Sequence, residues 1–302
     1  MSKVLPFVSV IVPVYNDTKQ LETCLDALEN QTYPKESYEI IIIDNNSEED
    51  VVAVTNQFSQ ARVTHEKRRG SYAARNKGLS VAKGIILGFT DSDCTPASNW
   101  IEKGVEKLLQ DPQCGFVAGK IKLSFKNPSK PTVVELYDSV NFLRQEYYVR
   151  ELNFGATANM FTYKKVFDDV GLFNADLKSS GDREWGQRVF KHGYPQIYAE
   201  DVCIAHPARN RLKELRNKVS RIVEGLYFLD NKKPKSTLGF LKELYLDLKP
   251  PRKEILDLLN SKKMTSLSIK SKYILLFMIL RWTGALTKLK LYRKMNHYKV
   301  NI

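Results

Sequence analysis

The sequence predicts an α/β chain: a doubly wound, mostly parallel sheet with flanking helices, then a helical, basic C-terminal extension. Three observations lead there. Apolar, β-branched runs alternate with helix-period segments through the first half, an order that joins parallel strands through helices. Three of those runs end in Asp, Asn or Tyr: Tyr15 to Asp17, Asp44 to Ser47 and Asp91 to Asp93. The charge is also uneven. Residues 1–206 hold 24 Lys and Arg against 27 Asp and Glu, a net of −3, whereas residues 207–302 hold 23 against 7, a net of +16.

Each element has its own signal. FVSVIVPVY at 7–15 is an apolar strand, and the segment 17–31 is a helix with Leu21, Leu25 and Leu28 on one face. YEIIIID at 38–44 is a strand buried on both sides. The helix over 47–58 opens with Ser47 and Asp50 at capping-box spacing. A short strand lies near 61–66, a helix over 71–84 stops at Gly84, and IILGFT at 85–90 is the next strand. A helix covers 99–110, a strand 114–125 and one long aromatic-rich helix 131–151. A loop, strand and short helix span 154–171; a helix with an acidic start covers 181–193, and a last strand ends in His206.

A chain of 302 residues with 43% hydrophobic content forms one large domain or two smaller ones. It has no internal repeat. Its four cysteines include no C-x-x-C pair, which argues against a disulfide scaffold or structural zinc and fits a reducing cytoplasm. The apolar N-terminal stretch is interrupted by Pro6 and Pro13 without a small-residue cleavage site, so it reads as a strand, not a secretory leader.

In open parallel sheets ligands bind at the carboxyl ends of the strands. Asp91-Ser92-Asp93 puts two carboxylates at one such end. Carboxylates resist burial and repel each other, and a divalent cation with oxygen ligands would compensate. A solvated turn is the alternative.

The segments VSVIVPVYN, EIIIIDNNSEED, ARNKGLSVAKG, GFTDSDC and GDREWGQRV occur in the order of the motifs of the family 2 inverting glycosyltransferases. The chain resembles that family over roughly residues 7–210. The resemblance implies a GT-A fold over 1–210, with a nucleotide-sugar half of about 1–96 and an acceptor half of about 97–210, and leaves 211–302 as the extension. It implies Mn²⁺ or Mg²⁺ on Asp93, with Asp91 on the ribose side of the nucleotide. Asp44 falls where the family contacts uracil or ribose, and Pro13, Tyr15 and Asn16 resemble its base-holding loop. Arg75 is similar to its diphosphate-contacting arginine. Arg68 and Arg69 either serve the same phosphates or face solvent.

Inversion needs a general base for the acceptor hydroxyl. The family's paired acids read Asp182-Arg183-Glu184 here, so Asp182 is the candidate and Glu184 its competitor. Asp182 as a helix cap, and Trp185 beside a sugar or in the core, stay open. His206 matches a metal ligand of several relatives, against a satisfied polar histidine. The family's glycine-rich acceptor loop reads FGATAN at 154–159, so acceptor recognition does not transfer. The Q-x-x-R-W signature of processive synthases is absent, which implies transfer of single sugars. UDP-sugars are the family's most frequent donors; GDP and dTDP stay open.

The stretch from Ser268 to Lys294 mixes an apolar block with cations, and its uninterrupted run from Tyr273 to Leu280 is too short to span a bilayer. With Tyr273, Trp282 and Tyr292 as interface aromatics, it would lie on an anionic membrane surface beside a lipid-linked acceptor, or pack as a helix with a solvated basic face. The expected location is cytoplasmic, free or peripheral on the inner face of the cell membrane. Net charge alone also suits a nucleic-acid-binding protein, but no such motif occurs and nucleic acid is not the expected partner. A nucleotidyltransferase would want glycine after the first strand, and VPVYNDTKQ has none.

Overall fold

A computed structural model describes residues 5–230, 236–253, 255–256 and 266–300. Lys3 and Val4 of the leader-like stretch, and parts of the basic extension, lie outside the described residues.

The chain divides into two compact units, a sheet unit (Met1–Ser124 and Leu143–Pro207) and a helical unit (Phe125–Phe142 and Ala208–Ile302).

The sheet unit is built on eight strands: β1 (Val8–Val14), β2 (Tyr38–Asp44), β3 (Ala61–His65), β4 (Ile86–Thr90), β5 (Thr95–Pro96), β6 (Phe116–Ser124), β7 (Asn159–Tyr163) and β8 (Gln196–Pro207). Their order is β3-β2-β1-β4-β7-β6-β8-β5. β1 to β4 run parallel, as do β6 and β8, while β7 and β5 run against their neighbours. The predicted sheet is therefore present, with flanking helices α1 (Thr18–Glu29), α2 (Val51–Thr55), α3 (Ser71–Val81), α4 (Trp100–Leu109), α6 (Gln145–Leu152), α7 (Lys164–Val170) and α8 (Gly181–Lys191). Val8, Val10, Val12 and Val14 of β1 share a core with Leu21, Leu25 and Leu28 of α1, the alternation that a strand with one face on each helix layer requires.

Three local readings need correction. α2 starts only at Val51: Asp50 caps it by accepting from Ala53 N–H at 2.9 Å, and Ser47 instead accepts from Asn16 N–H at 3.0 Å. α3 ends at Val81, before Gly84. Gly84 serves close approach, since a Cβ there would lie 2.5 Å from Ser9 N, and its own N–H donates to Ser9 Oγ at 2.8 Å. The long helix over 131–151 is two, α5 (Val133–Asn141) and α6, broken where Leu143 adopts φ 53°. A left-handed leucine cannot continue a right-handed helix. The break coincides with the unit boundary.

In the helical unit, α5 packs with α9 (Leu212–Asp230) and α11 (Leu267–Val300), and α10 (Thr237–Leu248) lies on α11. Tyr137, Leu215, Tyr273, Leu276 and Leu280 form its core. Phe240 of α10 stacks on Tyr292 of α11 at 3.9 Å between centroids. The Tyr273–Leu280 run thus sends Tyr273, Leu276 and Leu280 inward, and of the three interface aromatics only Trp282 is largely exposed. No helix among the described residues is long and apolar enough to cross a membrane.

Candidate active site

The parallel register levels the strand ends: Val14 pairs with Asp44, and Asp44 with His65. Beyond β1 the chain turns through Tyr15 and Asn16, and beyond β2 through Asn45 and Asn46. Asn16 (φ 49°) and Asn46 (φ 68°) take left-handed conformations that asparagine tolerates. The two turns are tied, because Asn16 Oδ1 accepts from Glu48 N–H at 2.7 Å. Buried Asn45 donates to the carbonyls of Glu66 and Arg68 and accepts from Gly70 N–H, which fixes the loop before α3. Pro13 lies partly covered on β1. Tyr15 is exposed, with the Arg69 guanidinium 5.3 Å above its ring, and Arg68 pairs with Asp176.

Asp44 accepts from Ser47 N–H at 2.9 Å, and its other oxygen is 3.2 Å from His65 Nδ1. His65, which has no context in the sequence, is therefore part of this edge.

The Asp-Ser-Asp segment turns out of β4, with Cys94 N–H donating to Asp91 O at 3.1 Å. β5 follows at once and pairs antiparallel with β8, Thr95 opposite Ala205. This two-residue strand is what brings His206 to the aspartates: its Nε2 lies 3.5 Å from Asp93 Oδ1. Candidate ligand atoms of Asp91, Asp93, Cys94 and His206 all fall within 4.8 Å of one another. His206 Nδ1 is 2.9 Å from Pro207 O. A carbonyl only accepts, so Nδ1 carries a proton, which leaves Nε2 as the nitrogen that a cation beside Asp93 would take. The residues present therefore fit a divalent cation. Ser92 Oγ donates to Asp17 Oδ2 at 3.1 Å. Burial, and then repulsion from Asp93, hold the Asp17 carboxyl above its ordinary pKa. Burial chiefly, and the field of these acids, raise the Cys24 and Cys94 thiols too, which keeps both neutral.

Arg75 projects from α3 and is buried, bonded through Nη2 to Asp91 Oδ1. Its Nε is buried without a hydrogen-bond partner. A buried donor without a partner calls for one from outside the chain. Tyr72, one turn earlier, lies under the guanidinium at 5.7 Å and donates its hydroxyl to Asp182 Oδ1 at 3.2 Å. Gly181 makes that approach possible, since a Cβ there would lie 2.7 Å from the Tyr72 ring. Asp182 opens α8, and burial raises its pKa against the lowering effects of Arg183 N–H, Arg75 and Tyr72; Asp91 adds to the rise.

Glu184 points elsewhere. It pairs with Arg188 at 2.8 Å, which also binds the carbonyls of Val170, Gly171 and Leu172. Trp185 is core, stacked on Phe167 at 4.5 Å with its Nε1–H on Gly171 O. Asn159 of the FGATAN loop is also structural: it is fully buried, accepts from Trp100 Nε1–H and donates to Lys120 O and Val202 O. The Gln145 side chain holds the same loop through Ala156 and Asn159.

Asp17, Tyr72 and His65 are the residues sequence reasoning missed. Asp17 belongs to a strand end already conspicuous for its polarity. Tyr72 is masked by fitting a helix face, and His65 by standing alone.

Comparison with known proteins agrees with this geometry. The family model described as glycosyl transferase family 2 matches residues 9–171. The glycosyltransferase AglE of Haloferax volcanii is 37% identical over 230 residues, 74% of each chain. A dolichyl N-acetyl-alpha-D-glucosaminyl phosphate 3-beta-D-2,3-diacetamido-2,3-dideoxy-beta-D-glucuronosyltransferase of Methanococcus voltae is 25% identical over 222 residues, 69% of each. Among solved structures, the mannosyltransferase PcManGT of Pyrobaculum calidifontis, in complex with GDP-Man and Mn²⁺, superposes with a TM-score of 0.67 at 22% identity, covering 95% of this chain and 88% of that one.

Proposed function

The chain belongs to glycosyltransferase family 2, and from that premise we propose that it moves a single sugar, with inversion, from a nucleoside-diphosphate sugar to an acceptor hydroxyl. The observation that carries this reading is the convergence of Asp91, Asp93 and His206 with Arg75, and of Asp182 with Tyr72.

Asp182 is the general base. Burial raises its pKa, which makes its carboxylate a stronger base than that of a surface aspartate. It takes the proton of the acceptor hydroxyl as that oxygen bonds the anomeric carbon and the nucleoside diphosphate leaves with the bonding pair. Arg75 receives the diphosphate through its unpartnered Nε–H. Pro13, Tyr15, Asn16, Asp44 and Asp91 hold the nucleoside side. Asp93 and His206 would hold Mn²⁺ or Mg²⁺, which supplies positive charge against the charge growing on the leaving diphosphate. Glu184 is the weaker base candidate because Arg188 already engages it.

UDP-sugars are the first donors to test. GDP-sugars are the second, favoured by the GDP-Man complex of the Pyrobaculum mannosyltransferase. The acceptor is a glycan or a lipid-linked sugar, the latter favoured by the dolichyl phosphate substrate in the Methanococcus enzyme's name. A lipid-linked acceptor places the protein at the cytoplasmic face of the membrane, with its basic extension against anionic headgroups.

The deciding experiment is calorimetric titration of UDP, GDP and dTDP, with and without Mn²⁺, into wild type and Asp93→Ala. One nucleotide should bind in a metal-dependent way, and the variant should lose it. Binding of none under any metal overturns the reading. Salt-sensitive binding of DNA or RNA in its place would favour the basic-protein alternative.

A further inference from the structure

The two C-terminal helices leave ordered apolar stripes facing solvent. On α10, Leu238, Leu241, Tyr245 and Leu248 recur at i, i+3, i+7 and i+10 and are 79, 52, 63 and 43% exposed. At about 100° per residue these four fall on one side of the helix. Phe240, about 120° round the helix from the middle of that stripe, is 2% exposed and stacked on Tyr292. α10 thus has a satisfied inner contact and a second apolar face with no partner among the described residues. α11 repeats the pattern: Tyr273, Leu276 and Leu280 point inward, while Leu275, Trp282 and Leu286 are 60, 45 and 53% exposed at i, i+7 and i+11. The helices are joined where Arg281 donates to the carbonyls of Leu246, Asp247 and Lys249 and Lys288 pairs with Asp247.

We infer that the outward faces of α10 and α11 form one docking surface for an anionic lipid bilayer, with α10 lying in the headgroup–acyl boundary. This deepens the peripheral location in the functional reading above and rests on it. It also relocates the contact: the densest apolar run, from Tyr273 to Leu280, is largely the helical unit's own core, and the lipid-facing residues lie chiefly on α10. Two arguments select the partner. Residues 207–302 carry a net of +16, and exposed Lys242, Lys249, Arg252 and Lys253 lie on or just beyond α10, the charge expected beside anionic headgroups. A second copy of this chain would bring the same cations together.

The fluorescence of the whole protein reports on this surface. Of its three tryptophans, Trp100 and Trp185 are fully buried and Trp282 is exposed. Vesicles of phosphatidylcholine with phosphatidylglycerol should shift the emission to the blue, and brominated acyl chains should quench it. Phosphatidylcholine alone, or high salt, should weaken both effects. The Leu238→Gln/Leu241→Gln/Tyr245→Gln variant should co-sediment with anionic vesicles about tenfold less, with nucleotide binding unchanged. Equal sedimentation of variant and wild type, or none by either, overturns the inference. A concentration-dependent dimer in sedimentation velocity, lost in the variant, overturns it in favour of a second copy. Vesicle binding without binding of any nucleotide would support the surface while removing the enzymatic reading, so the two fail separately.

Discussion

Arg75 and Asp91 form an ion pair in which the guanidinium side chain is 4% exposed and the carboxylate 34%. A cation so enclosed is held chiefly by its charge partner, and its Nε–H has no hydrogen-bond partner. Arg75→Ala should lower affinity for the nucleoside diphosphate about tenfold to a hundredfold, the span of one hydrogen bond to a charged group. Arg75→Lys should recover only part, because an ammonium cannot reproduce the guanidinium fork. Calorimetry on the variants checks both. Unchanged affinity in Arg75→Ala would place the diphosphate elsewhere.

His206 separates metal binding from nucleotide binding. Pro207 O already engages Nδ1, so His206→Ala removes the Nε2 that faces Asp93 and leaves Asp91 and Asp93 in place. The expected result is a loss of Mn²⁺ affinity of about tenfold or more, with metal-free nucleotide binding little changed. Manganese electron paramagnetic resonance on the free protein reads this without any turnover assay.

Much of this edge was legible because parallel sheets gather their strand ends. β2 has the bounds its apolar run predicts, β1 lies one residue inside each end of its own, and Asp44 and Asp91 follow from where the runs stop. β5 was not legible: two residues carry no periodicity, and the strand exists only through pairing with β8 more than a hundred residues later. Without it, His206 has no visible reason to meet Asp93. Leu143 was hidden because no propensity marks a leucine for positive φ. Tyr72 was hidden because its partner Asp182 is 110 residues away.

Asp182 should show a conflict between stability and function. Burial raises its folded-state pKa above the unfolded one, so the carboxyl carries no penalty below the unfolded pKa, and stability is lost as pH rises from there through the folded pKa. Asp182→Asn keeps an acceptor for Tyr72 and for Arg183 N–H and removes that charge. Its Tm at pH 7 to 8 should equal or exceed wild type, while kcat falls by about 10²–10⁴. The wild-type rate should drop on acidification at a pH above the ordinary aspartate range. Glu184→Gln should leave the acid limb in place. A Glu184 variant that abolishes the limb would transfer the role of base.

The helical unit contains a buried ion pair of a different kind. Asp138 is fully buried, bonded to Lys218 Nζ at 2.7 Å and to Arg209 N–H at 2.9 Å. Burial lowers the Lys218 pKa, and Asp138 opposes that shift. Asp138→Leu therefore strands a buried ammonium and a backbone donor and should cost about 3–5 kcal/mol. Adding Lys218→Met removes the stranded charge and should recover most of the loss, because an apolar pair of similar volume is often as stable as the ionic one. Denaturant unfolding of the two variants and of Lys218→Met alone closes the cycle. A double variant no more stable than Asp138→Leu would mean that the Arg209 contact, and not the ion pair, holds the start of α9 against α5.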